Sequence, residues 1–285
     1  MNLVILVNGP RGVYIAKRLI KIKYLNIKGI LYSDKRKKKY LENSLKKLKK
    51  KFIYQKKINS KISEKLLKSL NLDLILIAGY SQILKKNILK QAKKFVINLH
   101  GGPVKKYRGG SPLNWQIING EKKIGLSLIK TDTGIDTGGV ISQKYFKLNY
   151  NDKIKDVHEK ANKFFLKMLL PVLKKIKANK KIKVNYQKTK GKYHFQRSDK
   201  DGEINFSKIT SKNAYNFVRA ISHPYPGAWS KISINNKNKK IRVFDCEIKK
   251  DLKNKINKNF LKFKNKLYAK TLDYPILIKK HIFIG

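Results

Sequence analysis

The chain has 285 residues, 41% of them hydrophobic, which is enough to bury a full core in one or two domains. No apolar run reaches membrane-spanning length, so no membrane insertion is expected, and the first residues lack the basic lead and small-residue cleavage site of a signal peptide. The formal charge is +52, from 62 lysines and seven arginines against 17 acids, and the single cysteine, Cys246, can form no internal disulfide and suits a reducing cytoplasm.

Residues 3–7 read as a buried strand. Asn8-Gly9-Pro10-Arg11-Gly12 follows as a turn, and apolar spacing at Val13, Ala16, Leu19 and Ile20 predicts a helix over 13–23. A second strand is expected at 27–32, lysine-rich helices around 36–50 and 63–70, and further strands at 72–77 and 95–98. Strands alternating with helices predict an α/β, mostly parallel sheet with helices on both faces. In such sheets ligands gather at the carboxyl ends of the strands. A short helix is expected at 112–119, strands at 124–130 and 139–147, and a long amphipathic helix over 152–178. Beyond about residue 180 the texture changes. Lys188-Thr189-Lys190-Gly191-Lys192 reads as linker, 211–221 as a helix, and the remainder as short strands between Asn/Lys-rich turns. The division that follows is a catalytic domain over 1–183, a linker over 184–204 and a small β domain over 205–285. No internal repeat is present.

The segment Ile97-Asn98-Leu99-His100-Gly101-Gly102-Pro103 carries the chemistry. Side chains two apart on a strand point the same way, so Asn98 and His100 leave the strand end on one face. The Gly/Pro residues after them open a loop, which continues through Tyr107-Arg108-Gly109-Gly110-Ser111-Pro112. Asp132-Thr133-Gly134-Ile135-Asp136-Thr137-Gly138-Gly139 is a second loop, able to bring the Asp136 carboxylate to that histidine. An amide donor, a general acid/base and an orienting carboxylate suit acyl transfer through a developing oxyanion. The two Asp-Thr-Gly triplets also mimic the aspartic protease signature. Two catalytic aspartates must face each other from separate lobes or subunits, and these lie four residues apart.

These motifs resemble the folate-dependent formyltransferases, among them methionyl-tRNA, glycinamide ribonucleotide and amino-sugar-nucleotide formyltransferases. Asn98, His100 and Asp136 match the family's Asn-x-His and later Asp, and the resemblance runs over most of the chain. It implies a Rossmann-like catalytic domain and an OB-like C-terminal β domain. It implies 10-formyltetrahydrofolate as formyl donor, held along Gly79, Tyr80, Ser81 and Ile83 and along Gly134, Ile135 and Thr137. It implies that Asn98 donates to the oxyanion, that His100 assists and moves a proton, and that Asp136 fixes the imidazole. Where many relatives carry Leu-Leu-Pro, this chain has Pro103-Val104-Lys105, so the wall beside the histidine differs in shape.

The turn with Gly9 and Arg11 lies near the acceptor in the relatives. Gly102, Arg108 and Tyr225 complete the expected acceptor-binding set. The turn lacks G-x-G-x-x-G, so a dinucleotide fingerprint is absent. Ser111-Pro112-Leu113-Asn114-Trp115 and Tyr225-Pro226-Gly227-Ala228-Trp229 resemble the sugar-nucleotide branch. That branch makes the expected partners a nucleotide-linked amino sugar and the folate, with tRNA as the alternative, and leaves a homodimer open. A non-catalytic nucleic-acid-binding protein is a third reading, disfavoured by the intact Asn98/His100/Asp136 set. The charge admits both a phosphate-binding reading and a compositional one, because Lys, Asn and Ile have A/T-rich codons and phosphate and base recognition relies on Arg. His158, His194 and His281 have no ligand spacing to one another, and no zinc pattern exists, so no metal is expected.

Overall fold

A computed structural model describes residues 1–45, 52–187, 189, 191–234, 237–253, 255–256 and 258–284. A seven-stranded sheet is built from β1 (Asn2–Val7), β2 (Asn26–Tyr32), β3 (Phe52–Tyr54), β4 (Leu72–Ala78), β5 (Ala92–His100), β7 (Lys123–Lys130) and β8 (Val140–Lys147). Its order is β3-β2-β1-β4-β5-β7-β8. The strands from β3 to β5 pair in parallel, and β5 pairs antiparallel with β7. The sheet is therefore mostly parallel, as the sequence predicts. Leu3 to Val7 have no exposed surface, which is why β1 reads as an unbroken apolar run.

The helices of the first half are α1 (Pro10–Leu19), α2 (Lys38–Leu45), α3 (Lys61–Ser69) and α4 (Lys86–Leu89). Pro10 at the first turn supplies a preset φ, so α1 starts three residues before the expected 13 and stops at Leu19, short of 23. Gly9 before it is extended. At Gly12 a Cβ would lie 2.4 Å from the Cβ of Val7, so glycine is what lets α1 lie close on β1. Ser60 caps α3 by accepting from the Ser63 amide. The helix expected over 36–50 is described as α2 to Leu45. Its residues 46–50, Lys188 and Lys190 of the expected linker, and residues 235–236, 254 and 257 of the Lys/Asn-rich segments lie outside the described residues.

The remaining elements are β6 (Arg108–Gly109), α5 (Pro112–Ile118), α6 (Ile154–Lys177), β9 (Tyr193–His194), α7 (Ser211–Ile221), β10 (Ala228–Ile234), β11 (Lys237–Ile248), β12 (Phe260–Phe263), β13 (Lys266–Ala269) and β14 (Ile276–Ile284). The last five form an antiparallel sheet in the order β10-β11-β14-β13-β12, the small C-terminal β structure the sequence texture predicts. Cys246 is buried in β11.

The chain forms two compact units, each assembled from separate segments. The first comprises 1–109, 125–145 and 160–193; the second comprises 110–124, 146–159 and 194–285. The linear division at 184–204 differs from this because α5 joins α7: buried Asn114 donates through Nδ2 to the Ala220 carbonyl at 2.8 Å. Such long-range pairing leaves no mark in local composition.

Candidate active site

β5 ends on His100, with Asn98 paired to Ile77 of β4 and to Ile129 of β7. The alternation of the strand sends Leu99 into the core and leaves Asn98 and His100 on the other face. The turn that follows closes on the Pro103 carbonyl, which accepts from the amides of Lys106 and Tyr107. This returns the chain to the histidine. His100 Nε2 donates to the Tyr107 carbonyl at 2.5 Å, and the ring is 5% exposed.

Asp136 arrives from the loop between β7 and β8. Asp132 shapes that loop, its Oδ1 accepting from the Gly134 amide at 3.1 Å and from Thr137 Oγ1 at 2.7 Å. Asp136 itself has φ +51°, in the left-handed region. Its Oδ1 accepts from Asn98 Nδ2 at 3.0 Å, and its Oδ2 accepts from the Gly109 amide at 3.0 Å. His100 Nδ1 lies 3.3 Å from Oδ2. Asn98 spends one hydrogen of its amide on Asp136 and keeps the other. The structure brings together all three residues expected from the motif. It differs from expectation in turning both nitrogens of His100 onto protein oxygens.

The two arginines expected at the acceptor also point inward. Arg11 donates from Nη1 to the Leu99 carbonyl at 3.1 Å, with its guanidinium over the Phe165 ring. Arg108 is 9% exposed, and its Nε and Nη2 donate to the Ile135 carbonyl at 3.0 and 2.7 Å. Each holds the backbone next to a motif residue. The Gly9 carbonyl accepts from the Val13 amide, and the carbonyl of buried Gly102 accepts from Ser127 Oγ. Along the other expected loop, Gly79 has φ +75° and Ser81 Oγ accepts from Asn8 Nδ2 at 2.8 Å. The buried Tyr80 hydroxyl lacks a full hydrogen bond. Burial pushes its pKa up to about 12, with the Ser33 hydroxyl opposing, so it stays a neutral donor. Ile83 and Ile135 are large apolar side chains left exposed, at 49% and 38%.

Tyr225 belongs to the second unit. Its hydroxyl meets His158 Nε2 at 3.1 Å. It lines a pocket of about 120 Å³ with Arg197, Asn114, Ser198 and Gly227. Arg197 stacks over the rings of Trp115 and Phe217, and His194 packs on Trp115. His281 packs edge-on against Phe283. Among the described residues no cluster of His, Cys, Asp or Glu could hold a metal, and no helix is long and apolar enough to cross a membrane.

Sequence reasoning missed the backbone partners, namely the Tyr107 carbonyl and the Gly109 amide, since any residue supplies those groups. It also missed Asp132, although the Asp-x-Gly spacing of 132–134 is a readable turn signal.

Comparison with known proteins adds lineage to this geometry. The formyl transferase family description matches over residues 26–173. The chain is 36% identical over 198 residues to the bifunctional polymyxin resistance protein ArnA of Wigglesworthia glossinidia brevipalpis, covering 68% of this chain and 29% of that protein. It is 32% identical over 221 residues to methionyl-tRNA formyltransferase of Finegoldia magna, covering 74% of this chain and 68% of that one. The chain thus spans less than a third of the first relative's length and about two thirds of the second's. The fold is similar to that of the N-formyltransferase of Helicobacter canadensis, solved in complex with folinic acid and dTDP-3-aminofucose. There the TM-score is 0.67 at 20% identity, over 97% of this chain and 98% of that one. Over half its length and at this level of identity, the chain belongs to the formyl transferase family.

Proposed function

We propose that this chain transfers a formyl group from 10-formyltetrahydrofolate to the amine of a nucleotide-linked amino sugar. The observation that carries formyl transfer is the joint hold of Asn98, His100 and the Gly109 amide on Asp136. The donor supplies an activated formyl carbon. Tyr80, with its buried and underbonded hydroxyl, and exposed Ile83 and Ile135 offer the polar point and apolar rim that a flat heteroaromatic ring requires. Gly79, Ser81, Gly134 and Thr137 set the backbone of those two loops. The remaining hydrogen of Asn98 Nδ2 is aimed at the oxyanion that develops as the amine adds, and the Asp136–His100 pair takes the proton that the amine gives up.

The acceptor reading is supported by the second unit. Its pocket combines the Tyr225 ring with the Arg197 guanidinium, and an aromatic face beside a cation suits a nucleotide. The structural relative from Helicobacter canadensis was solved with a dTDP-linked amino sugar. A tRNA acceptor is the second reading, favoured by the methionyl-tRNA formyltransferase relatives and by the +52 charge. A cytoplasmic setting fits either, with Cys246 as a buried free thiol.

The test is to offer a panel of amino-sugar nucleotides and charged initiator tRNA at about 50 and 200 mM salt, a range over which several phosphate contacts lose orders of magnitude in affinity. Formylation of a sugar nucleotide with a shallow salt slope is expected. Efficient formylation of tRNA with a steep slope, and none of any sugar, would establish the second reading.

A further inference from the structure

The side chain of Arg108 is too far buried to be spare, and what it holds is specific. Nε and Nη2 of one guanidinium converge on a single oxygen, the carbonyl of Ile135, at 3.0 and 2.7 Å. That carbonyl belongs to the peptide joining Ile135 to Asp136. The orientation of this peptide plane relative to the Asp136 Cα is the φ angle of Asp136. At +51° that angle lies in the left-handed region, uncommon outside glycine although aspartate tolerates it better than most residues. A two-point bond to the carbonyl fixes the plane and so fixes where the carboxylate emerges.

The neighbours of Arg108 complete the same task. The Tyr107 carbonyl accepts from His100, and the Gly109 amide donates to Asp136 Oδ2. Three consecutive residues, Tyr107 and the two of β6, therefore touch the imidazole, the peptide before the carboxylate, and the carboxylate itself. The two backbone contacts are available to any residue, whereas the side-chain contact needs a planar fork of donors. Lysine carries its donors on a single rotatable nitrogen and cannot reproduce the fork.

We infer that Arg108 is a positioning residue, acting through the Ile135 carbonyl to set Asp136 against Asn98 and His100, and that it does not anchor the acceptor. The inference rests on the catalytic reading of that cluster for its kinetic consequence, though not for its structural one.

Two readouts separate the two levels. The first is the ring ¹⁵N resonances of His100, assigned by loss in His100→Ala and recorded for the full chain. Arg108→Ala and Arg108→Lys should move the Nδ1 resonance in the same direction as Asp136→Asn does, because each weakens the same Nδ1–Oδ2 contact. A resonance that stays in place in both Arg108 variants overturns the inference, whatever the enzyme does.

The second readout is formyl transfer from 10-formyltetrahydrofolate. Arg108→Ala should lower kcat about a hundredfold, the order seen when a catalytic group is misplaced by an ångström, with both KM values within about threefold. In an Asp136→Asn background the same change should cost less than about threefold, since it acts through a group already disarmed. Guanidinium at millimolar concentration should restore part of the Arg108→Ala rate. An acceptor KM that rises while kcat holds, or a full loss on top of Asp136→Asn, refutes the positioning role. If Asp136→Asn itself leaves the rate unchanged, it is the catalytic reading that fails, and the ¹⁵N result still decides the structural claim.

Discussion

Asp136→Asn tests the site most directly, because the structure specifies what an amide must do there. The carboxylate accepts on both oxygens, from Asn98 Nδ2 on Oδ1 and from the Gly109 amide on Oδ2, with His100 Nδ1 also facing Oδ2. An amide can accept at only one of these positions. If its NH2 faces Gly109, two donors oppose each other and the backbone cannot flip. If it faces Asn98, the Asn98 side chain can rotate and present its oxygen, so this arrangement is cheaper. That rotation withdraws the hydrogen aimed at the oxyanion. One substitution therefore disarms two residues. The lost charge-assisted bond should cost about 2 kcal/mol of stability, or about 3 °C in Tm for a chain of this size. The lost donor alone should cost at least about a hundredfold in turnover. Differential scanning fluorimetry and steady-state kinetics with varied folate check the two magnitudes. Adding Asn98→Ala to Asp136→Asn should cost little more. The reasoning is refuted if Tm and kcat both stay at parental values, or if the two substitutions multiply in full. A change confined to the folate KM would make Asp136 a binding residue.

Asn98→Ala and His100→Ala should each abolish most formyl transfer while the fold persists; mass spectrometry of the product reads this, and activity within about threefold of the parent in either variant sinks its assignment. Gly138→Ala should act from outside the cluster, because a Cβ there would lie 1.8 Å from the Lys130 carbonyl oxygen and must push the Asp136 loop off β7. A stability loss of about 1–3 kcal/mol with a fall in kcat greater than any change in KM is expected, and an unaltered melt with unaltered kcat would show that the loop yields freely.

Much of this protein is legible in its sequence. Period-two alternation placed Asn98 and His100 on one strand face, and the Gly/Pro residues after them marked the strand end. The buried run of β1, the strand β4 and the helix at Ser211–Ile221 followed from local pattern alone. These features depend on residues within a few positions of one another. Three-residue β3 was missed because so short a strand is defined by its parallel partner β2 and carries too few residues to show a period. The interleaving of the two units escaped for a similar reason, since α5 is assigned by its partner α7, 106 positions away at the Asn114 bond. The site divides along the same line. Residue type and spacing picked out Asn98, His100 and Asp136, which the fold brings together, because the proposed chemistry needs those functional groups. Where Arg11 and Arg108 point was decided by tertiary structure. An arginine beside a glycine-rich loop reads equally as a substrate anchor or as a clamp on a carbonyl. Only folding, by bringing the Leu99 and Ile135 carbonyls within 3.1 Å of those guanidinium groups, selects the clamp.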